Sequence, residues 1–411
     1  MKYLPALFLG VAALGAADLP PAPPPFEASL QSRAGFDSNP LGTSGTSAAI
    51  LGREDTLTYS AGAGLGLTLP STTPKTTSLK LTYAFEAVRF DHFESEDFAT
   101  HKFGSVGKFT AGAWTFTGDI SSLFVDGDQD TLTSVASANA NGVTLWRERR
   151  QQWQHRAKLQ TQALFGSTLV RAGAKLLAYD YQTDVAAGKV AFADRSDTQA
   201  SLDLGWKQGA DSLWLAGVRA GYQRQATVPL PGCSFEYSNT YSRLAAGWEG
   251  KPFSGTTVTF AAGPDFRRYT GAVDPAVFTG GRNRTSLWFE GGFTSKLSDT
   301  VTLTGKAARM PWLSSTGKSA YTDTCGETAV SWAPTPALSL QFVAKLHRCD
   351  YFPVKRDDWE SFIGPGATLK LSKHTVLTLD VLRQDAWNTL SGSSQREFHR
   401  VVVNLGVTVK L

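Results

Sequence analysis

Apolar residues alternate with small or polar residues along most of the chain. In one segment, Leu57, Tyr59 and Leu65 are separated by residues such as Thr58 and Gly64. The same period of two recurs at 79–87, 200–206, 287–293, 338–346 and 401–411. Because successive side chains of a β-strand point to opposite faces, the pattern predicts strands with one apolar face and one small or polar face.

The pattern predicts about eighteen strands, with sixteen as the alternative count. The predicted strands are 27–36, 55–69, 77–91, 99–110, 113–126, 150–164, 168–182, 196–207, 212–225, 236–250, 256–269, 282–296, 300–312, 321–333, 337–351, 359–371, 375–388 and 396–411. Most are about ten to fourteen residues long, whereas strands of soluble proteins average about five or six. From residue 26 onward there is no run of eighteen apolar residues and no sustained 3.6-residue periodicity, which excludes membrane-spanning helices and helix-bearing α/β domains.

The predicted connections alternate between short and long. The short ones are 111–112, 165–167, 208–211, 297–299, 334–336 and 372–374, and the long ones are 37–54, 92–98, 127–149, 183–195, 226–235, 270–281, 313–320, 352–358 and 389–395. A soluble sandwich has no reason to collect its tight hairpins at one end, whereas an outer-membrane barrel has short periplasmic turns and longer external loops. The sequence therefore predicts an all-β, antiparallel, up-and-down transmembrane barrel over residues 27–411, with both termini on the periplasmic side.

Prolines and tryptophans add detail to this barrel. Pro264, Pro311 and Pro365 fall inside predicted strands, and we expect them at strand ends or bulges because proline cannot donate to a ladder. Four tryptophans beside short turns predict an interfacial girdle on the periplasmic side. They are Trp114, Trp206, Trp248 and Trp332.

The first residues predict export from the cytoplasm. Lys2 precedes an apolar run from Leu4 to Leu14, and small residues follow at 15–17, so residues 1–17 are predicted to be a signal peptide. A membrane anchor is the alternative, but the run is shorter than the about 20 residues that span a bilayer. Residues 18–26 are predicted to be a proline-rich periplasmic leader with extended polyproline character. The predicted location is the outer membrane of the cell.

Composition excludes several classes of function. The 40 Lys and Arg residues nearly balance the 36 Asp and Glu residues, so nucleic acid is not predicted as a partner. Eleven Trp, 11 Tyr and 24 Phe residues exclude a disordered chain. The three cysteines have neither the density of a disulfide scaffold nor the spacing of metal ligands.

The cysteines are predicted to be unbridged. Cys325 and Cys349 lie on neighbouring predicted strands and face inward, and a hairpin centred on Thr335 pairs residue 325 with residue 345. Cys349 then lies about four residues away along the partner strand, too far for a disulfide. Cys233 falls in an external loop, where it is free unless another loop approaches.

Charged residues recur on the faces opposite to the apolar ones. We predict the following pore-lining residues: Arg156, Lys158, Arg171, Lys175, Arg219, Arg243, Arg267, Lys306 and Lys345, with the carboxylates Glu290 and Glu327. Basic groups outnumber acidic ones on these faces, so the predicted lumen is wet and modestly prefers anions. For any single residue, a salt bridge that braces the wall is the alternative interpretation.

Loops 37–54 and 127–149 are the candidates for narrowing the pore from outside. The constriction candidates at the two ends of the second loop are Asp126, Asp128, Asp130, Arg147, Arg149 and Arg150. The alternating aspartates suggest calcium, but the Gly and bidentate Glu of an EF-hand do not follow, so no metal site is predicted. The arginines suit either one side of a pore constriction or the phosphates of lipopolysaccharide.

Catalysis is not predicted. The six histidines are scattered, and no Gly-x-Ser-x-Gly stretch lies on a strand-to-helix elbow. Neither an enzymatic activity nor a cofactor follows from the sequence.

The chain resembles Gram-negative outer-membrane β-barrel proteins, and in particular the putative β-barrel porins. The resemblance rests on the signal peptide, the alternating strands and the stretch Arg33–Pro40, which is similar to the Gly-aromatic-Asp-x-Asn opening of that family. The last strand, Arg400–Leu411, is similar to the terminal signal read by the barrel-assembly machinery, although it ends in Leu where Phe or Trp is usual. The resemblance implies that machinery as a partner and names no solute.

Passive diffusion of small hydrophilic solutes is the leading hypothesis, because a barrel of about eighteen strands is wider than one of about eight, which side chains fill. One alternative is an export conduit for polysaccharide or peptide that works with periplasmic partners. The other is a non-conducting barrel with a structural or adhesive role. The solute, the state of the lumen and the oligomeric state, including a homo-oligomer, stay open.

Overall fold

We describe a computed structural model of the protein. The described residues are 26–40, 55–69, 77–129, 149–182, 192–226, 236–273, 281–315, 320–352, 356–389 and 397–411. The strands are β1 (Phe26–Asp37), β2 (Thr56–Leu69), β3 (Thr77–Phe90), β4 (Phe98–Ala111), β5 (Trp114–Gly127), β6 (Gln152–Phe165), β7 (Thr168–Tyr181), β8 (Arg195–Lys207), β9 (Ser212–Gln225), β10 (Asn239–Phe253), β11 (Thr256–Tyr269), β12 (Asn283–Lys296), β13 (Val301–Leu313), β14 (Ala320–Trp332), β15 (Leu338–Phe352), β16 (Arg356–Lys370), β17 (Thr375–Asn388) and β18 (Phe398–Lys410). A short 3-10 helix, Glu94–Glu96, lies between β3 and β4, and none of the described helical structure is long and apolar enough to cross a bilayer.

The sheet closes on itself because its first and last strands pair. β1 and β18 are antiparallel from Ser29 opposite Lys410 to Asp37 opposite Val402. All other pairs join strands that are consecutive in sequence, and the whole forms one 18-stranded antiparallel sheet. The prediction of an up-and-down barrel is confirmed, with eighteen strands rather than sixteen.

The two faces of the barrel differ as the alternation predicts. Large apolar side chains remain exposed on the outer face, among them Leu204 at 57% and Leu244 at 53%. Their neighbours Asp203 and Arg243, one position away, point inward and are buried. So extensive an exposed apolar surface is stable against hydrocarbon rather than water, so the barrel spans a membrane.

Aromatic side chains cluster near both ends of the strands. Trp206 and Trp332 are 69% and 48% exposed beside the short turns, and Trp114 lies near the same end. Trp248 donates its indole N–H to the Ser212 hydroxyl at 2.8 Å. Near the opposite end, Trp359 and Trp387 stack with ring centroids 6.1 Å apart. This arrangement fits two interfacial girdles.

The short connections and both termini lie at one end of the barrel. Gly112, Gly166 and Gly255 have φ values of +58°, +61° and +77° in the two-residue turns after β4, β6 and β10. Strand β10 continues three residues beyond its predicted end at residue 250, to Phe253. The ladder continues on the β9 side, where the Lys251 N–H donates to the Asp211 carbonyl.

Two of the three strand prolines interrupt a ladder. Pairing of β10 with β11 is missing opposite Pro264, and pairing of β16 with β17 is missing opposite Pro365. A glycine precedes each proline, and a Cβ on Gly263 or Gly364 would lie 2.1 or 1.9 Å from a carbonyl oxygen of the neighbouring strand. The strands therefore approach closely where proline cannot donate, which agrees with the expected irregularities.

The lost hydrogen bond at Pro264 is replaced from inside the barrel. Trp288 is 2% exposed and donates its indole N–H to the Leu244 carbonyl at 3.1 Å. Because an unsatisfied carbonyl at membrane depth is costly, this contact stabilises the irregular ladder.

Cys325 and Cys349 are unbridged, and their register differs from the prediction. Cys325 lies opposite His347 rather than residue 345, and Cys349 lies opposite Asp323. The centre of the hairpin lies one residue later than Thr335, at residue 336, which shifts the partner of each residue by two positions. Cys233 lies outside the described residues, as do the predicted signal peptide and all of the predicted leader except Phe26, which is the first residue of β1.

We predict that Gly364→Ala lowers the free energy of unfolding by about 1–3 kcal/mol, because the new methyl group must displace the β17 backbone. Urea unfolding of the protein in liposomes measures the change. Gly326→Ala is the matched control, since no atom lies within 4 Å of the Cβ position of this strand glycine. Equal stabilities for the two variants would show that the close approach at Gly364 is absent in solution.

Candidate functional site: charged lumen and external mouth

Charged side chains form rows on the inner face of the barrel. On one side, Lys158 of β6 lies between Asp119 of β5 and Lys175 of β7 in the ladder. On another, Glu327 of β14 lies between Lys306 of β13 and Lys345 of β15. Lys158, Lys175 and Lys306 are exposed although they face inward. These rows place hydrated positive charge along the lumen.

Strand β7 makes ion pairs with distant strands. Arg171 donates to both carboxylate oxygens of Glu249 on β10, at 2.7 and 2.9 Å. Lys175 lies 3.8 Å from Glu290 on β12. Because β7 and β12 are five strands apart in the ring, this pair reaches across part of the lumen. Arg156, the remaining candidate on β6, is partly exposed on the same inner face.

Other predicted lining residues are buried in the wall. Asp265 is completely buried and accepts hydrogen bonds from Arg243 at 2.6 Å and from Arg267 at 2.7 and 3.0 Å. Both guanidinium groups lie over the ring of Tyr241, at 4.5 and 4.6 Å from its centroid. Arg219 pairs with Asp203 at 3.3 Å. Arg243 and Arg267 are 6% and 4% exposed, so little of either side chain reaches the lumen.

One buried cluster lies at the external mouth. It joins the connections β1–β2, β3–β4 and β5–β6 to the wall. We call it the Glu96 cluster: Glu96, Arg149, Arg150, Asp37 and Arg400. Glu96, at the end of the 3-10 helix, pairs with Arg149 at 3.0 Å and also with Arg150. Arg149 lies 3.7 Å from Asp37, which accepts hydrogen bonds from Arg400 of β18. The segment before β6 thus reaches strands β1 and β18 on another side of the mouth.

Burial governs the chemistry of the Glu96 cluster. Desolvation lowers the pKa of Arg149 from its ordinary value, and the carboxylates of Glu96 and Asp37 oppose that shift. Arg149 also donates to the Pro40 carbonyl at 2.7 Å and lies 4.4 Å from the centroid of the Phe90 ring. Each guanidinium is therefore tied to carboxylates and main chain in a site closed to bulk water.

The remaining constriction candidates do not gather in this cluster. Asp126 is exposed and lies on the same outer face of β5 as Phe124. Asp128 accepts a backbone hydrogen bond from Gln151. Asp130 and Arg147 lie outside the described residues. Among the described residues, no group of three or more His, Cys, Asp or Glu side chains is arranged to hold a metal ion.

A second element at the mouth was not predicted. The outer ends of β13 and β14, residues 310–315 and 320–324, separate from β12 and reach over part of the lumen, while β14 stays paired with β15 out to Ala320 opposite Phe352; we call this element the inner hairpin. Arg195 of β8 donates to the Leu313 carbonyl at 2.6 Å, and Gln223 of β9 donates to the Pro311 carbonyl at 3.2 Å. The inner hairpin therefore contacts a wall four to five strands away.

The sequence carried a signal for this element. At 310–313 the strict alternation stops, because Met310, Pro311, Trp312 and Leu313 are consecutive apolar residues. Such a run is typical of a strand with both faces buried. Alternation alone places residues 310–312 in a wall strand and residue 313 in the following connection.

No protein-family model matches the chain, and no curated protein matches its sequence. Among solved structures, OccK2 (OpdF) of Pseudomonas aeruginosa in complex with glucuronate is similar at 11% identity and a TM-score of 0.46, over 94% of this chain and 98% of that one. Pseudomonas aeruginosa OpdK with vanillate has the same identity and score over 94% and 99%. The siderophore receptor PiuA of Acinetobacter baumannii is similar at 10% identity and a TM-score of 0.48, over 94% and 81%. At these values the likeness concerns barrel shape alone.

A closed barrel with an apolar outer face and a charged inner face is the architecture of outer-membrane proteins. The chain is an outer-membrane β-barrel.

We predict that Glu96→Gln lowers the free energy of unfolding by about 3–5 kcal/mol, because two buried arginines lose their common carboxylate. Glu94→Gln is the control, since Glu94 lies in the same 3-10 helix but is exposed. Urea unfolding in liposomes, followed by tryptophan fluorescence, compares the two variants. A loss of similar size for both would show that the Glu96 cluster does not stabilise the mouth.

Proposed function

We propose that the protein is an outer-membrane channel for passive diffusion of small hydrophilic solutes, with a modest preference for anions. The observation that carries the proposal is the exposed lysines on the inner face of a closed barrel, Lys158, Lys175 and Lys306. Charged side chains that are exposed inside a membrane-spanning barrel need water around them. A water-filled lumen of this kind suits solute passage better than catalysis.

The anion preference follows from which charges are neutralised. Arg171, Arg219, Arg243 and Arg267 each pair closely with a carboxylate, so their fields are largely cancelled. The rows that contain Lys158 and Lys306 each hold two lysines and one carboxylate. Lys175 in the first row also lies 3.8 Å from Glu290 of β12, and both of these side chains remain solvent-exposed. Within a narrow lumen the attraction between unit charges exceeds its value in bulk water, so these rows concentrate anions.

A non-conducting structural barrel is the second candidate. It is favoured by the Glu96 cluster and the inner hairpin, which both cross the external mouth. The export-conduit hypothesis rests on the proline-rich leader, which lies outside the described residues apart from Phe26. Lipopolysaccharide, the barrel-assembly machinery and a homo-oligomer stay predictions.

We predict that the purified protein conducts in a planar bilayer. In a potassium chloride gradient, the sign of its reversal potential shows that chloride is more permeant than potassium. Lys158→Glu and Lys306→Glu each shift it toward the potassium side, because each adds a negative charge to a luminal row. Lys373→Glu is the control for net charge, since Lys373 lies in the turn after β16.

Discrete conductance with a reversal potential that favours potassium in the unmodified protein would contradict the anion preference but keep the channel. No conductance from the folded barrel would contradict the channel and favour the structural role.

A further inference from the structure

The inner hairpin separates from one neighbour, β12, at one seam and stays joined to the wall through β15, where Ala320 lies opposite Phe352. The ladder between β12 and β13 runs from Lys296 opposite Thr302 to Phe289 opposite Arg309. Within the described residues it extends no further, although β12 continues to Asn283 and β13 to Leu313. The ladder between β13 and β14, in contrast, continues to Leu313 opposite Ala320. The two outer strand ends therefore depart from β12 together.

Burial shows that protein covers both faces of the inner hairpin. Trp312 and Leu313 are consecutive, so their side chains point to opposite faces, yet they are 5% and 2% exposed. Ala320 and Tyr321 are likewise 1% and 4% exposed. A wall strand of this barrel keeps one face toward lipid, whereas here protein covers both faces.

The two faces pack on different parts of the wall. Trp312 belongs to a cluster with Tyr179 and Tyr181 of β7. Leu313 belongs to a cluster with Tyr237 and with Tyr269 of β11. The inner hairpin thus fills the space between β7 and β11 at the external end.

Hydrogen bonds hold the hairpin in this docked position through its main chain. Besides the contacts from Arg195 and Gln223, Gln225 donates to the Ser314 carbonyl, and the Ala193 N–H donates to the Ser315 carbonyl. All four donors are groups of β8, β9 or the residues just before β8. Because the acceptors are main-chain carbonyls, the docking uses groups of the kind that pair neighbouring strands in the wall.

The unpaired part of β12 provides a second position for the same strand. Continuing the existing register places Trp288 opposite Met310, Ser286 opposite Trp312 and Thr285 opposite Leu313. Leu287 is 56% exposed on the outer face at this level, so the seam lies within the apolar band. Main-chain groups facing hydrocarbon are costly when unpaired, so pairing with β13 is favourable there.

Proline at the bend lowers the barrier between the two positions. Pro311 would lie opposite Leu287 in the extended ladder and has no N–H to donate. Departure from β12 at this residue therefore sacrifices fewer hydrogen bonds than it would elsewhere.

We propose that the inner hairpin is the gate of the channel. In the closed state it is docked over the lumen on Arg195, Gln223 and Gln225. In the open state the outer end of β13 pairs with β12 residues 283–288 while β14 stays paired with β15, and the hairpin withdraws from the lumen. This inference rests on the proposed channel function. Its energetic basis is an exchange of hydrogen bonds to the hairpin main chain, three from side chains of β8 and β9 and one from the Ala193 N–H, for ladder hydrogen bonds with β12. Such an exchange allows two packings of one sequence to have similar free energies.

Two disulfides trap the two positions in a background carrying Cys233→Ser, Cys325→Ser and Cys349→Ser. Ala193→Cys with Ser315→Cys joins residues that share a main-chain hydrogen bond in the closed position. Thr285→Cys with Leu313→Cys joins residues that become opposite in the open position. Heat-modified migration in gel electrophoresis shows that each variant is a folded barrel, and thiol titration shows that the bond has formed.

We expect the oxidised 193–315 variant to lose at least nine-tenths of its planar-bilayer conductance and to regain it on reduction. We expect the oxidised 285–313 variant to conduct continuously, with closures that return only on reduction. The four single-cysteine variants are controls and should not respond to reduction.

Two outcomes overturn the gate. In one, the 193–315 bond forms and the conductance stays unchanged; in the other, the 285–313 bond does not form under conditions in which the 193–315 bond does. Failure of the channel itself is distinct, because no variant would then conduct, including the 285–313 variant with its bond formed.

Discussion

The structure depends on one constraint: hydrocarbon cannot hydrogen-bond to the main chain, so every strand in the membrane must have a neighbour on each side. Pairing of β1 with β18 meets this constraint by removing the two edges that an open sheet would have. Closure also fixes the direction of the side chains, because alternate residues then face lipid and lumen all around the ring. The apolar outer face and the charged rows inside are thus consequences of one requirement.

Two regions of incomplete strand pairing show how the barrel satisfies its main chain by other means. Opposite Pro264 the ladder is interrupted, and the indole of Trp288 satisfies the Leu244 carbonyl from inside. At the outer half of β12 the ladder ends early, and the carbonyls of β13 find donors on β8 and β9 instead. Each departure from regular pairing is compensated by luminal side chains. The luminal side chains therefore contribute to the hydrogen bonding of the wall.

The barrel was predictable because its pattern is repeated and local. Alternation at residues such as Leu57, Tyr59 and Leu65 depends only on neighbours in sequence, and the strand count and the sidedness of the turns follow from it. The inner hairpin was not predictable in this way, because its position depends on Arg195 and Gln223, about 90 to 120 residues earlier in the chain. The contact between Glu96 and Arg149 was not predictable either, because nothing in the sequence indicates that these two residues meet. The alternation of side-chain direction along a strand placed Arg243 and Arg267 correctly on the inner face. It could not show that Asp265 and Tyr241 cover them.

The central claim is that lipid covers one face of each wall strand and water the other. Spin labels on cysteines placed singly at Lys158 and Leu159, neighbours on β6, test it in liposomes, since Lys158 faces inward and Leu159 is 49% exposed on the outer face. The account predicts that the label at 159 collides mainly with oxygen dissolved in lipid, and that the label at 158 collides mainly with a water-soluble nickel complex. Equal access of both reagents to the two positions would contradict a closed, water-filled barrel in the membrane.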